Sequence, residues 1–212
     1  MRLLLRTGQL DKAVEAGQAA LKRFPKNKKI HMDLADILMS QGKADASIYH
    51  YERVHQINPK SSRAIFLKGT VLEEQGRWGQ AKDMYWKAVK MEHNNPLGQF
   101  YLGRALLHDN ELEEAEKRFQ MSVVLKPNLL QARKYLAWVY ERLGKHEEAL
   151  KEYNLLLKLK LKNSFIEEGD DLQAMIEAAK QSVEVLNKDY PTSEFLILCG
   201  PGNNGGDGYF IG

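Results

Sequence analysis

Apolar residues return at intervals of three and four along most of this chain, with charged and polar residues between them. This is the spacing of one face of an α-helix. Within residues 96–129, for example, it places Leu102 and Leu106 on one helix, and Phe119 and Val123 on the next. A glycine or asparagine stands between such segments, where a helix can end in a left-handed turn. The pattern therefore predicts pairs of antiparallel helices joined by short turns.

The same residue types return every 34 positions over residues 1–163, which indicates an internal repeat. Three positions carry most of the signal: a turn residue, a small residue five positions later, and an aromatic residue four positions after that in four of the five copies. The turn residues are Gly8, Gly42, Gly76, Asn110 and Gly144. The period predicts a partial first unit over 1–27 and complete units over 28–61, 62–95, 96–129 and 130–163.

In the unit 96–129, the signature offsets of the tetratricopeptide repeat (TPR) family are occupied by Leu102, Gly103, Ala115, Phe119 and Pro127. Residues 1–163 resemble this family. The resemblance implies an all-α fold, a right-handed TPR solenoid of stacked antiparallel helix pairs. It also implies a scaffold that binds a peptide or protein segment on a concave face, which the first helix of each unit lines. No cofactor is implied for this part of the chain.

Helical spacing and the groove positions of TPR proteins select candidate peptide-binding residues on the first helix of successive units. They are Phe66, Thr70, Phe100, Arg104, His108, Lys134, Trp138 and Arg142, joined by Met32, Asp36 and Glu73. Rings offer contact area and arginine offers planar donors, so this mixture suits a partner with acidic character. Two interpretations of Phe66, Phe100 and Trp138 stay open, because such rings could equally pack between adjacent units. Nucleic acid is not a predicted partner, because the basic residues alternate with acidic ones.

The composition changes in the last quarter of the chain. Residues 1–163 hold 29 of the 31 Lys and Arg residues, whereas residues 164–212 hold 2 of them beside 9 acidic residues. Helical spacing predicts a helix over 170–188, and a continuous apolar run at 195–199 predicts a buried strand that leads into a glycine-rich loop. Glycines let backbone N–H groups approach a phosphate, so this order of elements indicates a nucleotide site.

The loop Cys-Gly-Pro-Gly-Asn-Asn-Gly-Gly-Asp-Gly at 199–208 looks like the signature loop of the NAD(P)HX epimerase family. The helix around Met175 and Ile176 is similar to that family's first helix, although Lys180 stands where glycine is usual. The resemblance covers 172–212 and implies a truncated Rossmann-like α/β piece. The residues that it places at the phosphate side of the substrate are Asn203, Asn204, Gly205, Gly206 and Asp207, with Asn204 also holding a potassium ion if the domain is complete.

This second resemblance implies an alternative function, in which the chain is a fragment of a TPR-fused epimerase that interconverts the R and S epimers of NAD(P)HX. Catalysis by these residues alone is not expected and no catalytic residue is assigned, because the family's acid/base residues lie downstream of Gly212. Both ends are expected to be cut, since the first unit begins within a helix and the last motif is incomplete. We therefore interpret 164–212 as a truncated or degenerate remnant docked on the last repeat, in preference to an independent functional loop.

Other features of the composition exclude several classes of protein. No apolar run approaches the roughly 18 residues of a membrane-spanning helix, and no membrane role is predicted. The one cysteine, Cys199, rules out an internal disulfide and suits a reducing compartment, so a cytoplasmic location is expected. The six histidines form no His-Glu-x-x-His string and are expected at the surface.

Overall fold

The computed structural model describes residues 9–162 and 173–181, and every regular element within these ranges is an α-helix. Nine helices fill the first range: α1 (Leu10–Arg23), α2 (Lys28–Ser40), α3 (Ala44–Ile57), α4 (Ser62–Glu74), α5 (Trp78–Met91), α6 (Pro96–His108), α7 (Leu112–Leu125), α8 (Leu130–Arg142) and α9 (His146–Lys162). A further helical segment covers 173–181. The predicted strand at 195–199 and the glycine loop at 199–208 lie outside the described residues.

The helices form hairpins, each of a first and a second helix, and the hairpins are divided between two compact units of the chain. The first unit ends at Asn94 and holds α1 and the hairpins α2–α3 and α4–α5. The second unit begins at Asn95 and holds the hairpins α6–α7 and α8–α9. Consecutive hairpins pack on one another within a unit, α3 against α4 and α7 against α8. The first helices begin at Lys28, Ser62, Pro96 and Leu130.

The turn inside each hairpin is left-handed, as the sequence predicts. The φ angle lies between 61° and 72° at Gly42, Gly76, Asn110 and Gly144. After α2, the amide of Lys43 donates to the carbonyl of Leu38 at 2.8 Å, and the amide of Gly42 donates to the carbonyl of Met39 at 2.9 Å. These bonds satisfy carbonyls that the helix itself leaves open. The left-handed residue therefore ends the first helix and starts the return of the chain.

An aromatic ring on the second helix packs against a glycine of the first helix in two hairpins. A Cβ atom at Gly69 would lie 2.7 Å from Cε1 of Tyr85, and one at Gly103 would lie 2.8 Å from Cε1 of Phe119. Because ordinary carbon contacts are longer, glycine is what allows the two helices to approach this closely. The recurring aromatic residues form the centre of the hairpins, and all are at most 1% exposed: Tyr51, Tyr85, Phe119 and Tyr153.

A buried polar contact joins the fourth and the twenty-third residue of the unit 28–61. These residues are His31 and His50, and their Nδ1 atoms lie 2.9 Å apart. Nε2 of His31 lies 3.0 Å from the carbonyl oxygen of Pro25. Since a carbonyl only accepts, this nitrogen donates, and Nδ1 of neutral His31 accepts the hydrogen of His50 Nδ1. Both rings are buried, as is His146, so the expectation that the histidines lie at the surface is wrong for these three.

The unit 130–163 places an ion pair at the same two positions. Nη1 of Arg133 donates to Oε2 of Glu152 at 2.5 Å, and Nε of Arg133 donates to the carbonyl of Pro127 at 2.9 Å. In both units, therefore, the fourth residue binds its second-helix partner and the proline carbonyl that precedes the unit. We call these two positions of each unit the interlock. In the remaining units they are occupied by Ile65 with Met84 and by Gln99 with Arg118.

The free energy of unfolding of the first unit is expected to fall by about 1–2 kcal/mol when the pH is lowered from 7.5 to 5, because of His50. Burial, followed by the neighbouring His31, lowers the pKa of His50 from 6.5 to about 4. The unfolded chain therefore takes up a proton below pH 6.5 that the folded chain takes up only near pH 4, and this favours unfolding as the pH falls. Urea unfolding at several pH values measures the loss.

The exposed His55, on the same helix, provides the control for this pH dependence. In His50→Gln, the fall in the free energy of unfolding between pH 7 and pH 5 is expected to disappear. In His55→Gln, the same fall is expected to remain. Equal pH dependence in the two variants would show that the buried pair does not control acid stability.

Candidate peptide-binding surface

The second unit carries six of the eight predicted peptide-binding residues on its two first helices. They are Phe100, Arg104 and His108 on α6, and Lys134, Trp138 and Arg142 on α8. The members of each set are four residues apart, about one helical turn, so each set follows one face of its helix. Each face therefore combines one aromatic ring with basic side chains.

Phe100 is a packing residue at the centre of this unit. Its side chain is 7% exposed, and its ring centroid lies 5.4 Å from that of Tyr101, 5.9 Å from that of Phe119 and 5.5 Å from that of Tyr135. The rings of Phe119 and Tyr135 are stacked at 5.5 Å. The structure therefore shows that Phe100 packs inside the unit, which is one of the two interpretations left open. Its ring lies beneath the guanidinium of Arg104.

Arg104 lies above this cluster with its guanidinium close to three rings. The distances from Cζ to the ring centroids are 5.4 Å for Tyr101 and 5.9 Å for both Phe100 and Tyr135. Such cation–π contacts hold a guanidinium in place while it keeps its hydrogen-bonding character. Sequence reasoning missed Tyr101 and Tyr135, although a signal was present, because both are the sixth residue of their units.

Arg142 is held by two contacts at the end of α8. Its Cζ lies 5.2 Å from the ring centroid of Trp138, and its Nη2 donates to Oδ1 of Asn110 at 2.8 Å. The indole Nε1 of Trp138 is buried and has no acceptor within the described parts of the chain. Lys134 is half-buried on the same face, and the ring of His108 lies 3.2 Å from the carboxylate of Asp109.

The candidates of the first unit take part in its own packing. Phe66 is half-buried with its ring centroid 5.7 Å from that of Tyr85, and the hydroxyl of Thr70 donates to the carbonyl of Leu67 at 2.8 Å. Glu73 accepts a hydrogen bond from the hydroxyl of Tyr85 at 2.6 Å. In the preceding hairpin the carboxylate of Asp36 accepts a hydrogen bond from the hydroxyl of Tyr51 at 2.6 Å, and Met32 packs against the apolar cluster that contains Tyr51. Internal partners thus engage most of these polar groups.

Glu141 is an acidic residue beside the candidate surface that the sequence analysis did not select. Its carboxylate accepts a hydrogen bond from the hydroxyl of Tyr153 at 3.0 Å. Burial raises the pKa of Glu141 to about 7, although that hydrogen bond acts in the opposite direction. The carboxyl is therefore only partly charged at neutral pH, and it opposes the positive charge of Arg142 less than an exposed glutamate would.

No three His, Cys, Asp or Glu residues among the described side chains are grouped closely enough to hold a metal ion. No helix in the described ranges has the length and apolar character needed to cross a bilayer. The residues predicted for the phosphate side of a nucleotide and for potassium, Asn203 to Asp207, lie outside the described ranges, so their roles stay predictions.

Antiparallel hairpins with a 34-residue period, left-handed turns and a buried aromatic at a fixed position define a helical repeat protein. The family model described as "Tetratricopeptide repeat" matches residues 2–62 and 66–129, and a second model with that description matches 136–163. The chain belongs to the tetratricopeptide repeat family. Its last part, residues 171–212, matches the model of the YjeF-related protein N-terminus, which is the N-terminal domain of NAD(P)HX epimerases.

Similar proteins confirm the all-helical TPR solenoid as the fold class. Anaphase-promoting complex subunit 3 of Schizosaccharomyces pombe is 23% identical over 167 residues, which are 79% of this chain and 23% of that protein, so the chain spans under a quarter of its length. The crystal structure of MamA matches with a TM-score of 0.71 at 20% identity, and the match covers 76% of this chain and 94% of the MamA chain. The first TPR of Spaghetti (RPAP3), bound to the HSP90 peptide SRMEEVD, matches with a TM-score of 0.52 at 21% identity. That match covers 58% of this chain and 93% of the RPAP3 chain.

Proposed function

We propose that this chain is a protein-interaction scaffold that binds an extended acidic peptide or protein segment through its second unit. The observation that carries the proposal is Arg104, whose guanidinium lies within 5.9 Å of three ring centroids. Rings hold the cation at the surface of α6 before any partner arrives, so less conformational entropy is lost when a carboxylate binds. The planar donors of arginine then match the two oxygens of that carboxylate.

Two further basic side chains give the surface its charge and extent. Lys134 and Arg142 lie on the same face of α8, and Arg142 is fixed by Trp138 and Asn110. An extended segment with acidic side chains a few residues apart suits such a row of cations better than a single carboxylate does. The similarity to the RPAP3 repeats supports this choice of partner class, since the peptide in that structure, SRMEEVD, carries three acidic residues.

Removing the charges of Arg104 and Lys134 together is expected to weaken binding of a fluorescently labelled SRMEEVD probe about tenfold or more, because each charge-assisted hydrogen bond contributes about 1.5–3 kcal/mol. The double variant Arg104→Ala with Lys134→Ala is compared with the unchanged chain by fluorescence anisotropy. The slope of affinity against salt concentration is expected to decrease in the variant, since fewer charges meet the probe.

A matched control removes the same charge from another part of this unit. Lys117 and Lys126 are exposed and lie on and just after α7, so Lys117→Ala with Lys126→Ala is expected to bind the probe nearly as the unchanged chain does. A probe in which both glutamates and the aspartate are replaced by alanine is expected to lose most of its affinity. Equal affinity in the two double variants would reject the assignment of this surface.

A second candidate function rests on the match of residues 171–212 to the YjeF-related N-terminus. In this candidate the chain is part of a TPR-fused NAD(P)H-hydrate epimerase, the loop 203–207 binds the phosphate side of NAD(P)HX, and Asn204 helps to hold potassium. Calorimetric titration with NADPHX in potassium and in sodium buffer tests it. Tighter binding in potassium that is lost in Asp207→Ala and kept in Asp170→Ala would favour the epimerase, whereas equal binding by the two variants would reject the role of the loop.

A further inference from the structure

The helical segment 173–181 has one buried face although most of its residues are exposed. Met175 is 6% exposed, Ile176 2% and Ala179 0%, whereas Ala174 and Glu177 on the other faces are exposed. Buried residues that recur at intervals of three and four are typical of a helix packed on a core along one stripe. This segment therefore has a definite packing partner in the chain.

The packing partner is the last hairpin of the repeats. Met175, Ile176 and Ala179 share one apolar cluster with residues of α8 and α9, namely Ala137, Ala149, Tyr153 and Leu156. Half-buried residues of the same hairpin pack around this cluster: Leu130, Tyr140, Leu150 and Leu157. The cluster includes the aromatic residue that forms the centre of the hairpin, so the segment covers the hairpin core itself.

The same segment lies within the part of the sequence that matches a different family. The TPR match ends at residue 163, and the match to the YjeF-related N-terminus begins at residue 171. By sequence, the helical segment 173–181 is thus the first helix of the YjeF-related region. By packing, it belongs to the repeat core. One helix therefore lies in the YjeF-related match by sequence and packs on the last TPR hairpin in the fold. We call the segment 173–181 the shared helix.

We propose that this shared helix closes the repeat core and is the intramolecular anchor of the YjeF-related region. A repeat hairpin cannot bury both of its faces alone, and the last one in an array needs a covering element. The shared helix supplies that element with three apolar side chains, while its exposed ion pair between Lys180 and Glu177, at 3.6 Å, faces away from the cluster. The start of the YjeF-related match is then joined to the last hairpin through packing, and the stability of α8 and α9 depends on this helix.

Hydrogen exchange of the full chain tests this dependence in two variants, in each of which one alanine of the shared helix is replaced. Ala179→Asp places a carboxylate in the apolar cluster, and amides of α8 and α9 are expected to exchange about tenfold faster or more, because a buried charge without a partner is costly. Ala174→Asp makes the same chemical change on the exposed side, where no such acceleration is expected. Amides of α3, in the first unit, serve as the internal reference in both variants.

A milder substitution keeps the test decisive if Ala179→Asp unfolds the whole chain. Ile176→Ala removes apolar atoms from the cluster without adding charge and is expected to accelerate exchange in α8 and α9 while α3 keeps its rate. If exchange in α9 were the same in Ile176→Ala, Ala174→Asp and the unchanged chain, the helix would not close the repeat core and the proposal would be overturned. The proposed function is tested on chains that keep this helix unchanged, so the two proposals can fail independently.

Discussion

Glu152→Ala is expected to lower the free energy of unfolding of the second unit by about 3 kcal/mol, the largest single loss that we expect in this unit. The substitution leaves Arg133 without its carboxylate partner. The side chain of Arg133 is 11% exposed and that of Glu152 17%, so water cannot replace the lost interaction well. An uncompensated charge in such a place is costly. Urea unfolding followed by circular dichroism measures the change.

Another unit of the chain shows which residues should restore the stability of this variant. Ile65 and Met84 stand at the interlock positions of the unit 62–95, where Arg133 and Glu152 stand in the unit 130–163. The double variant Arg133→Ile with Glu152→Met is therefore expected to recover most of the stability, because neither side chain then needs a charged partner. A control at the exposed Glu147, on the same helix, is expected to change the free energy by less than about 0.5 kcal/mol. A double variant as unstable as Glu152→Ala would contradict this account of the interlock.

Gly103→Val is expected to lower the free energy of unfolding of the same unit by about 2–3 kcal/mol through overpacking. Cε1 of Phe119 would lie 2.8 Å from the new Cβ, and two other ring atoms would lie 3.0 Å from it. The ring cannot withdraw easily, because Phe119 is fully buried and its ring lies within 5.9 Å of that of Phe100. Thermal and urea unfolding of the variant measure the loss.

Gly79→Val is the matched control, since Gly79 lies within α5 and no atom stands within 4 Å of a Cβ atom there. Valine is a slightly better helix former than glycine, so this control is expected to leave stability unchanged within about 0.5 kcal/mol. Adding Phe119→Leu to Gly103→Val is expected to cost less than the sum of the two single substitutions, because the smaller side chain relieves the contact. Additive losses would show that crowding by the ring is not the cause.

Much of the helical part was predictable because its signals are local and repeated. The left-handed residues Gly42 and Asn110 end helices where the sequence indicated, since the conformation depends on that residue and its nearest neighbours. The aromatic stripe, including Phe119, was predictable from the period as well. The small residues one helical turn before it, such as Ala115, followed from the same pattern, because close helix packing limits which side chains fit.

The candidate surface was predictable only in outline. Helical spacing selected the face that carries Arg104 and Trp138, but spacing does not show which side chains a neighbouring helix engages. Glu73 was selected for a ligand and accepts a hydrogen bond from Tyr85 instead. The burial of His31 with His50 was missed for the same reason, since a contact across 19 residues depends on how two helices rotate against each other.

The interlock also bears on how a chain of similar units avoids misfolding. Repeat proteins risk pairing a helix with the equivalent helix of another unit, a shift of 34 residues that a periodic hydrophobic pattern cannot oppose. Four different pairs stand at the interlock, so a pairing shifted by 34 residues has a cost: Arg133 placed against Arg118 would bring two guanidinium groups together without a carboxylate between them, and Glu152 placed against Gln99 would lose its cation. Each first helix thus selects its own second helix by chemistry, and the correct register is favoured over its periodic alternatives.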